Sequence, residues 1–269
     1  MNTLRLAVDS PQGRAALWSG TVEHAGTLHR VLPKRVEDTA HGRELEVELA
    51  PLQASDRPPT FALWLAAIRA ISLTATLTPA AAVWLYGRVM GWPLHPLIGG
   101  LAVLGAVLLQ VGVNLLNDVE DHLRLIDLPG SLGGSGVIQR GWLSAQQVRR
   151  GAWVAFAAGV LCGLPAVVTE PMVLAGVAAL GLLGAIGYSA RPLSLKYVAL
   201  GDLAVLLLCG PVLTLGAAAS AFGRIDGGVL WLGLWFGAAA VVILHVNNMQ
   251  DIEVDRSRKG PELACYPIL

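Results

Sequence analysis

Charged side chains are scarce in this chain, and their scarcity restricts the class of protein to which it can belong. Asp, Glu, Lys and Arg make up 14% of the 269 residues, whereas a soluble domain usually carries about a quarter. Hydrophobic residues make up 54%, and the mean hydropathy is +0.59. This composition excludes an ordinary soluble domain and predicts an integral membrane protein.

Cysteine is also rare, and no charge of either sign is in excess. The three cysteines, Cys162, Cys209 and Cys265, lack the spacing of a metal site, so we expect them to be packing residues. The formal net charge is zero, which argues neither for nor against nucleic acid, and we expect no nucleic-acid partner. The first 60 residues are polar and mixed in charge, so no signal peptide is expected.

Long hydrophobic runs begin only after residue 60. A span across about 30 Å of hydrocarbon takes about 20 residues, and six runs meet that need: 62–87, 95–117, 151–169, 171–188, 199–221 and 228–250. Backbone groups in lipid must be bonded internally, so these runs are expected to be helices. The sequence therefore predicts an all-α, polytopic transmembrane bundle of about six spans.

The remaining segments give the predicted domain organisation. Residues 1–58 form an N-terminal extramembrane segment, in which alternating hydrophobicity around 4–8 and 44–49 suggests short strands. The transmembrane domain covers 59–256, and 257–269 form a tail. Ser144 followed by Gln147 resembles a capping box at the start of the third span.

Two polar clusters interrupt the hydrophobic runs at the ends of the second and sixth spans. Their members are Asn114, Asn117, Asp118 and Asp121 in the first cluster, and Asn247, Asn248, Asp251 and Asp255 in the second. In a helix this spacing places the members of a cluster on one face. The plain alternative is that both clusters are ordinary solvated helix ends.

Carboxylate and amide oxygens suit Mg²⁺, which usually binds protein through one or two carboxylates plus substrate phosphates. We therefore predict that Asp118, Asp121, Asp251 and Asp255 bind Mg²⁺ and, through it, a diphosphate. The four asparagines are expected to add ligands, orient the aspartates or contact the substrate.

Basic residues near the clusters would complete an anion site. Lys196, in the loop after the fourth span, either contacts the diphosphate or only sets the topology. Arg69, in the first span, either snorkels outwards or faces the substrate. Asp202 either orients Lys196 or caps the fifth helix, and Arg124 is a weaker candidate for substrate contact.

The distribution of Lys and Arg predicts the orientation of the spans. These residues are concentrated in the N-terminal segment, the 118–150 and 189–198 loops and the C-terminal stretch, whereas the opposite loops hold only Arg88 and Arg224. The positive-inside rule then places the N-terminus and both polar clusters on the cytoplasmic side.

Together these residues resemble the UbiA superfamily of intramembrane prenyltransferases, whose hallmark is two Asp-rich motifs on separate helices. The closer resemblance is to the 1,4-dihydroxy-2-naphthoate polyprenyltransferases of menaquinone synthesis. It covers about 62–256 and rests on the stretches 114–121 with Asp127 following, 141–144, 191–197, 201–203 and 247–256.

The resemblance implies transfer of a prenyl group from a polyprenyl diphosphate to an aromatic acceptor, expected to be dihydroxynaphthoate, with Mg²⁺ as cofactor. It implies catalytic roles for Lys196, Arg69 and Asp202, and substrate contacts from Tyr197 and Arg124 as well as the asparagines. It also implies a multi-pass location in the bacterial inner membrane, with lipid around the bundle. The alternatives are an acceptor such as 4-hydroxybenzoate, a cation transporter or channel, and an inactive membrane remnant.

The chain departs from the family pattern after the second cluster. The family usually has nine spans, whereas six are counted here, and the stretch after Lys259 does not resemble the family sequence. We therefore expect a C-terminally truncated or frame-shifted product.

Overall fold

The computed structural model describes residues 3–40, 42–52, 56–127, 134–198 and 200–259, with side chains described up to Val246. It is mostly helical and divides into two compact units. One contains Met1–Arg69 and Asn114–Gly151, and the other contains Ala70–Val113 and Ala152–Leu269.

The first unit begins with a small antiparallel sheet and one helix. The elements are β1 (Thr3–Ala7), α1 (Pro11–Ser19), β2 (Thr21–His24), β3 (Thr27–Thr39) and β4 (Gly42–Ala50), with strand order β1-β4-β3-β2. In β4, Leu45 and Val47 are fully buried, and the intervening glutamates are not. This is the period-2 burial that alternating sequence predicts for a strand with one face on a core.

The core of this sheet extends to the end of the second membrane span. Ala16 and Leu17 of α1 pack with the inward side chains of the strands and with Leu125. Close by, His122 Nε2 lies 3.1 Å from the carbonyl oxygen of Leu17. The N-terminal sheet therefore packs directly against the stretch of chain that carries the first polar cluster.

The remaining helices are membrane helices and their connections. They are α2 (Thr60–Ala67), α3 (Thr74–Val89), α4 (Pro96–Leu123), α5 (Ala145–Thr169), α6 (Pro171–Ser189), α7 (Gly201–Leu207), α8 (Leu213–Phe222) and α9 (Gly227–Lys259). A π-helical turn, Leu208–Val212, joins α7 to α8 at Pro211.

Six stretches of these helices are long and apolar enough to span a membrane: Ala70–Val89, Pro96–Leu123, Ala145–Thr169, Pro171–Ser189, Gly201–Phe222 and Gly227–Val246. Large apolar side chains lie on their outer faces, such as Met172 at 96% and Trp235 at 74% exposure. Such exposure is unfavourable in water and favourable in lipid. The predicted helical bundle of about six spans is confirmed, and the protein is an integral, multi-pass membrane protein.

The first span differs from its prediction. The apolar run was predicted to form a helix over 62–87, but α2 ends at Ala67 and the span begins at Ala70. Arg69 between them has φ 55°, a left-handed conformation that a continuous α-helix does not contain. Hydrophobic composition is the same on both sides of this residue, so the run gave no sign of the break.

The third span begins where its capping pattern predicted. The Ser144 amide donates to Gln147 Oε1 at 2.9 Å, and the Gln147 amide donates back to Ser144 Oγ at 3.2 Å. This reciprocal pair satisfies two amides that the first turn of a helix leaves without intrahelical partners. The predicted capping box is confirmed.

Asp226 fixes the start of the sixth span. The Val229 amide donates to Asp226 Oδ1 at 3.0 Å, and Tyr86 Oη donates to Oδ2 at 2.8 Å. The bond from the Val229 amide holds the pKa of the Asp226 carboxyl below its ordinary value, since it stabilises the ionised form. The backbone of α9 continues as a helix through Lys259, so the predicted tail, 257–269, begins within this helix. Residues 260–269 lie outside the described residues.

Small residues set the contact between α4 and α5, and this contact gives a stability prediction. A Cβ at Gly105 would lie 2.8 Å from the carbonyl oxygen of Gly159, a contact that only a backbone shift relieves. Gly105→Ala is therefore expected to destabilise the chain by about 1–3 kcal/mol. The measurement is the midpoint of SDS-induced unfolding in mixed micelles, followed by circular dichroism.

Gly100→Ala is the matched control on the same helix, because a Cβ there meets nothing within 4 Å. Its midpoint should stay the same or rise slightly, since alanine favours the helix over glycine. Equal midpoints for the two variants would show that α4 and α5 do not approach as closely as described.

Candidate active site

The first polar cluster lies on one face of the last turns of α4 and is buried. Asn114 and Asn117 are each 7% exposed, and Asp118 and Asp121 are each 3% exposed. A buried carboxylate is costly unless neighbouring charges and hydrogen bonds stabilise it. The prediction that these four residues share a face is confirmed, and the alternative of a solvated helix end does not fit their burial.

Asp118 has two partners in the first unit. Arg69 Nη1 lies 3.5 Å from Asp118 Oδ1, and the Ser135 amide donates to Oδ2 at 3.1 Å. Among the residues that the structure describes, nothing donates a hydrogen bond to the buried Oδ1. This oxygen therefore keeps an acceptor site for a ligand.

Arg69 is held in place by the backbone around it. Asn114 Nδ2 donates to the carbonyl oxygen of Ile68 at 2.9 Å, which ties the residue before Arg69 to α4. The arginine then turns its guanidinium towards Asp118, with 29% of the side chain exposed. The guanidinium of Arg69 therefore faces the first polar cluster, and its contact with a substrate stays a prediction.

A second carboxylate, Asp127, comes close to Asp118 at a glycine. A Cβ on Gly134 would lie 2.5 Å from Asp127 Oδ2 and 3.6 Å from Asp118 Oδ1. Both carboxylates therefore border the space that a side chain at position 134 would fill. Nearby, Asn117 Nδ2 donates to Asp121 Oδ2 at 3.0 Å, which orients the next carboxylate along the helix.

The carboxylate and amide oxygens of this cluster are suitable ligands for a hard divalent cation. Mg²⁺ usually takes one or two carboxylates and keeps waters or phosphate oxygens as its other ligands. Within the described residues no group of three or more Asp, Glu, His or Cys side chains gathers at one point. The side chains of Asp251 and Asp255 lie outside that part of the chain, so their place near a metal stays a prediction.

Arg124 lies one turn beyond the cluster. Its Nη2 is 3.7 Å from Glu120 Oε2, an i, i+4 pair that is mostly shielded from solvent. This pairing holds the guanidinium near the end of α4. Contact between Arg124 and substrate stays a prediction.

Lys196 and Tyr197 lie in the second unit, in a short 3₁₀ helix between α6 and α7, Leu195–Tyr197. The Lys196 Nζ is 5.6 Å from the centroid of the Tyr197 ring. A Cβ at Gly201 would be 3.3 Å from Lys196 Cα, so the glycine lets the start of α7 pack closely against this turn.

Asp202 has a partner that the sequence did not suggest. Its Oδ2 lies 3.1 Å from Nε2 of His245, a residue of α9 two positions before Asn247. The pair ties the first turn of α7 to the helix that carries the second polar cluster. The sequence does contain a signal for this contact, which is the single histidine in the apolar run Val-Ile-Leu-His-Val.

The second polar cluster lies on the helical backbone of α9. Its members are Asn247, Asn248, Asp251 and Asp255. Residues 247, 251 and 255 follow i, i+4, i+8 spacing, so they share one side of the helix. Their side chains are outside the described part of the chain.

A comparison with known protein families identifies the family to which this chain belongs. The model of the UbiA prenyltransferase family matches residues 75–266, which include the first cluster, the 191–197 loop and the second cluster. The chain belongs to the UbiA prenyltransferase family, and the resemblance seen in the sequence is confirmed. Members of this family are generally metal-dependent.

Three curated relatives show how far this similarity extends. The chain is 30% identical over 205 residues to 1,4-dihydroxy-2-naphthoate octaprenyltransferase of Mycobacterium tuberculosis, covering 73% of this chain and 66% of that protein. It is 28% identical over 202 residues to the Escherichia coli protein of the same name, covering 72% and 64%. It is 29% identical over 202 residues to human UbiA prenyltransferase domain-containing protein 1, covering 72% and 58%.

The chain thus spans less than two thirds of the length of these relatives. No solved structure gives a significant match.

The pair of Arg69 and Asp118 gives a second stability prediction. Arg69→Met would leave the buried carboxylate of Asp118 without its cation. Breaking a buried ion pair costs about 3–5 kcal/mol. We expect the low end of that range, about 3 kcal/mol, because the arginine side chain is partly exposed. In Arg69→Met/Asp118→Asn the loss should be smaller than the sum of the single losses, since the second change removes the stranded charge. SDS-induced unfolding of all three variants measures this coupling.

Arg88→Met is the control, because Arg88 is an exposed arginine in the last turn of α3. It should change stability by less than about 1 kcal/mol. Additive losses in the double variant would mean that Arg69 does not stabilise Asp118.

Proposed function

We propose that this chain transfers a polyprenyl group from polyprenyl diphosphate to an aromatic acceptor, 1,4-dihydroxy-2-naphthoate, in a reaction that requires Mg²⁺. The observation that carries the proposal is the buried carboxylate of Asp118, at the end of a membrane helix, with one oxygen left as an acceptor beside Asp127. The names of the bacterial relatives support the choice of acceptor.

Asp118 and Asp121, with Asp251 and Asp255, are the residues proposed to hold the metal. Mg²⁺ bound there would offset the negative charge of the diphosphate and make it a better leaving group. Within the described residues, Asn117 orients Asp121 and Arg69 orients Asp118. Arg69 thus has a positioning role, and Asp127 is an added candidate ligand.

The other site residues are assigned by the family motifs that they occupy. Lys196 is proposed to contact the diphosphate and stabilise the charge that develops on it. Asp202 is proposed to have a catalytic role, and its contact with His245 ties α7 to α9. Tyr197, Arg124 and the asparagines Asn114, Asn117, Asn247 and Asn248 are proposed to contact the substrates.

The reaction breaks the bond between the allylic carbon and the diphosphate oxygen, and both electrons leave with the diphosphate. The allylic cation is attacked by the electron-rich ring carbon that carries the carboxylate. That carboxylate then departs as carbon dioxide, which restores the aromatic ring and gives a prenylated naphthoquinol. The apolar spans exclude water, which would otherwise capture the cation.

The location follows from the same proposal. A long polyprenyl tail is insoluble in water, so its site belongs among membrane helices that are open to lipid. We assign the chain to the bacterial inner membrane with its N-terminus and both Asp motifs on the cytoplasmic side. The concentration of Lys and Arg in the loops of that side supports this orientation.

Prenyl transfer by membranes that contain the chain tests the proposal. With an all-trans polyprenyl diphosphate, Mg²⁺ and dihydroxynaphthoate, we expect prenylated naphthoquinol, measured by chromatography and mass spectrometry. EDTA should abolish product, and Asp118→Ala should lower it by at least about 100-fold. Asp38→Ala removes an exposed carboxylate of β3 and should leave the rate unchanged.

Parallel reactions with 4-hydroxybenzoate test the acceptor. Product from hydroxybenzoate alone would keep the prenyl transfer and overturn dihydroxynaphthoate as the acceptor. No product from a well-expressed chain with either acceptor would contradict the activity and favour an inactive membrane protein.

A further inference from the structure

A second site lies in the first unit, in a cavity of ≈ 610 Å³. Its wall is formed by α1, by β3 and by the stretch 138–150 that leads into α5. Cavities of about 300–1,000 Å³ are the size of small-molecule sites. Nothing in the proposed prenyl transfer uses this cavity.

The charged side chains of the cavity wall are all cationic. Arg30, Arg57 and Arg150 line it, and no aspartate or glutamate does so among the described residues. Within the same part of the chain none of these three guanidinium groups has a carboxylate within 4.0 Å, whereas Arg5, Arg35 and Lys34 of the same sheet are paired with glutamates. Three such groups around one cavity favour an anion there.

Two donors in the wall are buried and lack acceptors. Arg30 Nε and Trp142 Nε1 have almost no solvent-accessible surface, and neither donates a hydrogen bond within the described residues. A buried donor without an acceptor costs about 1–3 kcal/mol. Because these two atoms have almost no accessible surface, a ligand in the cavity would reach them only after the Arg30 or Trp142 side chain turns towards it.

Arg30 is positioned for this role by a glycine. Gly141 has φ +65°, and a Cβ there would lie 3.0 Å from Arg30 Cδ and 2.8 Å from Leu32 Cδ2. The missing side chain lets the arginine stem lie along the backbone, where Nη1 donates to the Gly141 carbonyl oxygen at 3.4 Å. The guanidinium is thus held at the cavity wall, and this arrangement requires glycine at position 141.

The first turn of α5 adds to the positive potential. Ser144, the capping residue, and Gln146 and Gln147 of that turn line the cavity. The N-terminal end of a 25-residue helix carries a partial positive charge and attracts anions.

We propose that this cavity binds a phosphate group, carried either by a small phosphorylated molecule or by an anionic lipid headgroup. A phosphate offers several acceptor oxygens and up to two negative charges, which match the three arginines that line the cavity. His122 also lines the cavity, next in sequence to Asp121, so the ligand would lie beside the helix that carries the first polar cluster.

Thermal unfolding of the purified 269-residue chain in detergent tests the proposal, with sodium phosphate compared with sodium chloride at equal ionic strength. Phosphate should raise the midpoint in a saturable manner, because a ligand of the folded state stabilises it. Arg30→Gln and Trp142→Phe should each weaken the apparent affinity by at least about tenfold, which corresponds to the loss of about 1.4 kcal/mol. Arg14→Gln removes an exposed arginine of α1 outside the cavity and should leave the affinity unchanged.

The two sources of phosphate are separated in lipid nanodiscs. If a headgroup fills the cavity, discs with phosphatidic acid should raise the midpoint above that in phosphatidylcholine, and Arg30→Gln should remove the difference. If only free phosphate has this effect, a soluble ligand is indicated. A response that is absent, or equal in wild type, Arg30→Gln and Trp142→Phe, would overturn the site. Because no step measures prenyl transfer, this result is independent of the proposed activity.

Discussion

The candidate active site depends on the burial of acidic side chains at the end of an apolar helix. Asp118 and Asp121 are each 3% exposed, and ionised carboxylates at such depth require partners or they destabilise the fold. Arg69 and the Ser135 amide provide part of that stabilisation to Asp118. One oxygen of Asp118 keeps an acceptor site, which a metal ion with its substrate would fill. The features that stabilise the folded chain are thus the same ones that prepare the site.

The local backbone serves this requirement in several places. The left-handed turn at Arg69 ends α2 and brings the guanidinium to α4, and Asn114 fixes that turn through the Ile68 carbonyl oxygen. Gly134 leaves room for two carboxylates to border one space. The N-terminal sheet packs against the same stretch through Leu125 and His122. A segment outside the matched family region therefore supports the acidic end of α4 and, with the stretch 138–150, encloses a cationic cavity.

Sequence patterns predicted the parts of this structure that follow from local periodicity. Six spans follow from hydropathy, the shared face of Asn114, Asn117, Asp118 and Asp121 from helical spacing, and the start of α5 from its capping box. Contacts between distant residues were not accessible in this way. The Ser135 amide reaches Asp118 across 17 residues, and Asp202 meets His245 across two helices. The helix break at Arg69 depends on one backbone angle, which apolar composition on both sides conceals.

The proposed binding of a divalent cation at the acidic end of α4 is tested most directly with Mn²⁺ as a spin probe. Titration of the purified chain with Mn²⁺, followed by electron paramagnetic resonance, should show a bound ion that Mg²⁺ displaces. Asp118→Asn should weaken this binding by about 10–100-fold, while Asp38→Asn, at an exposed position of β3, should not. Equal binding in wild type and Asp118→Asn, or no bound Mn²⁺ in either, would contradict the account.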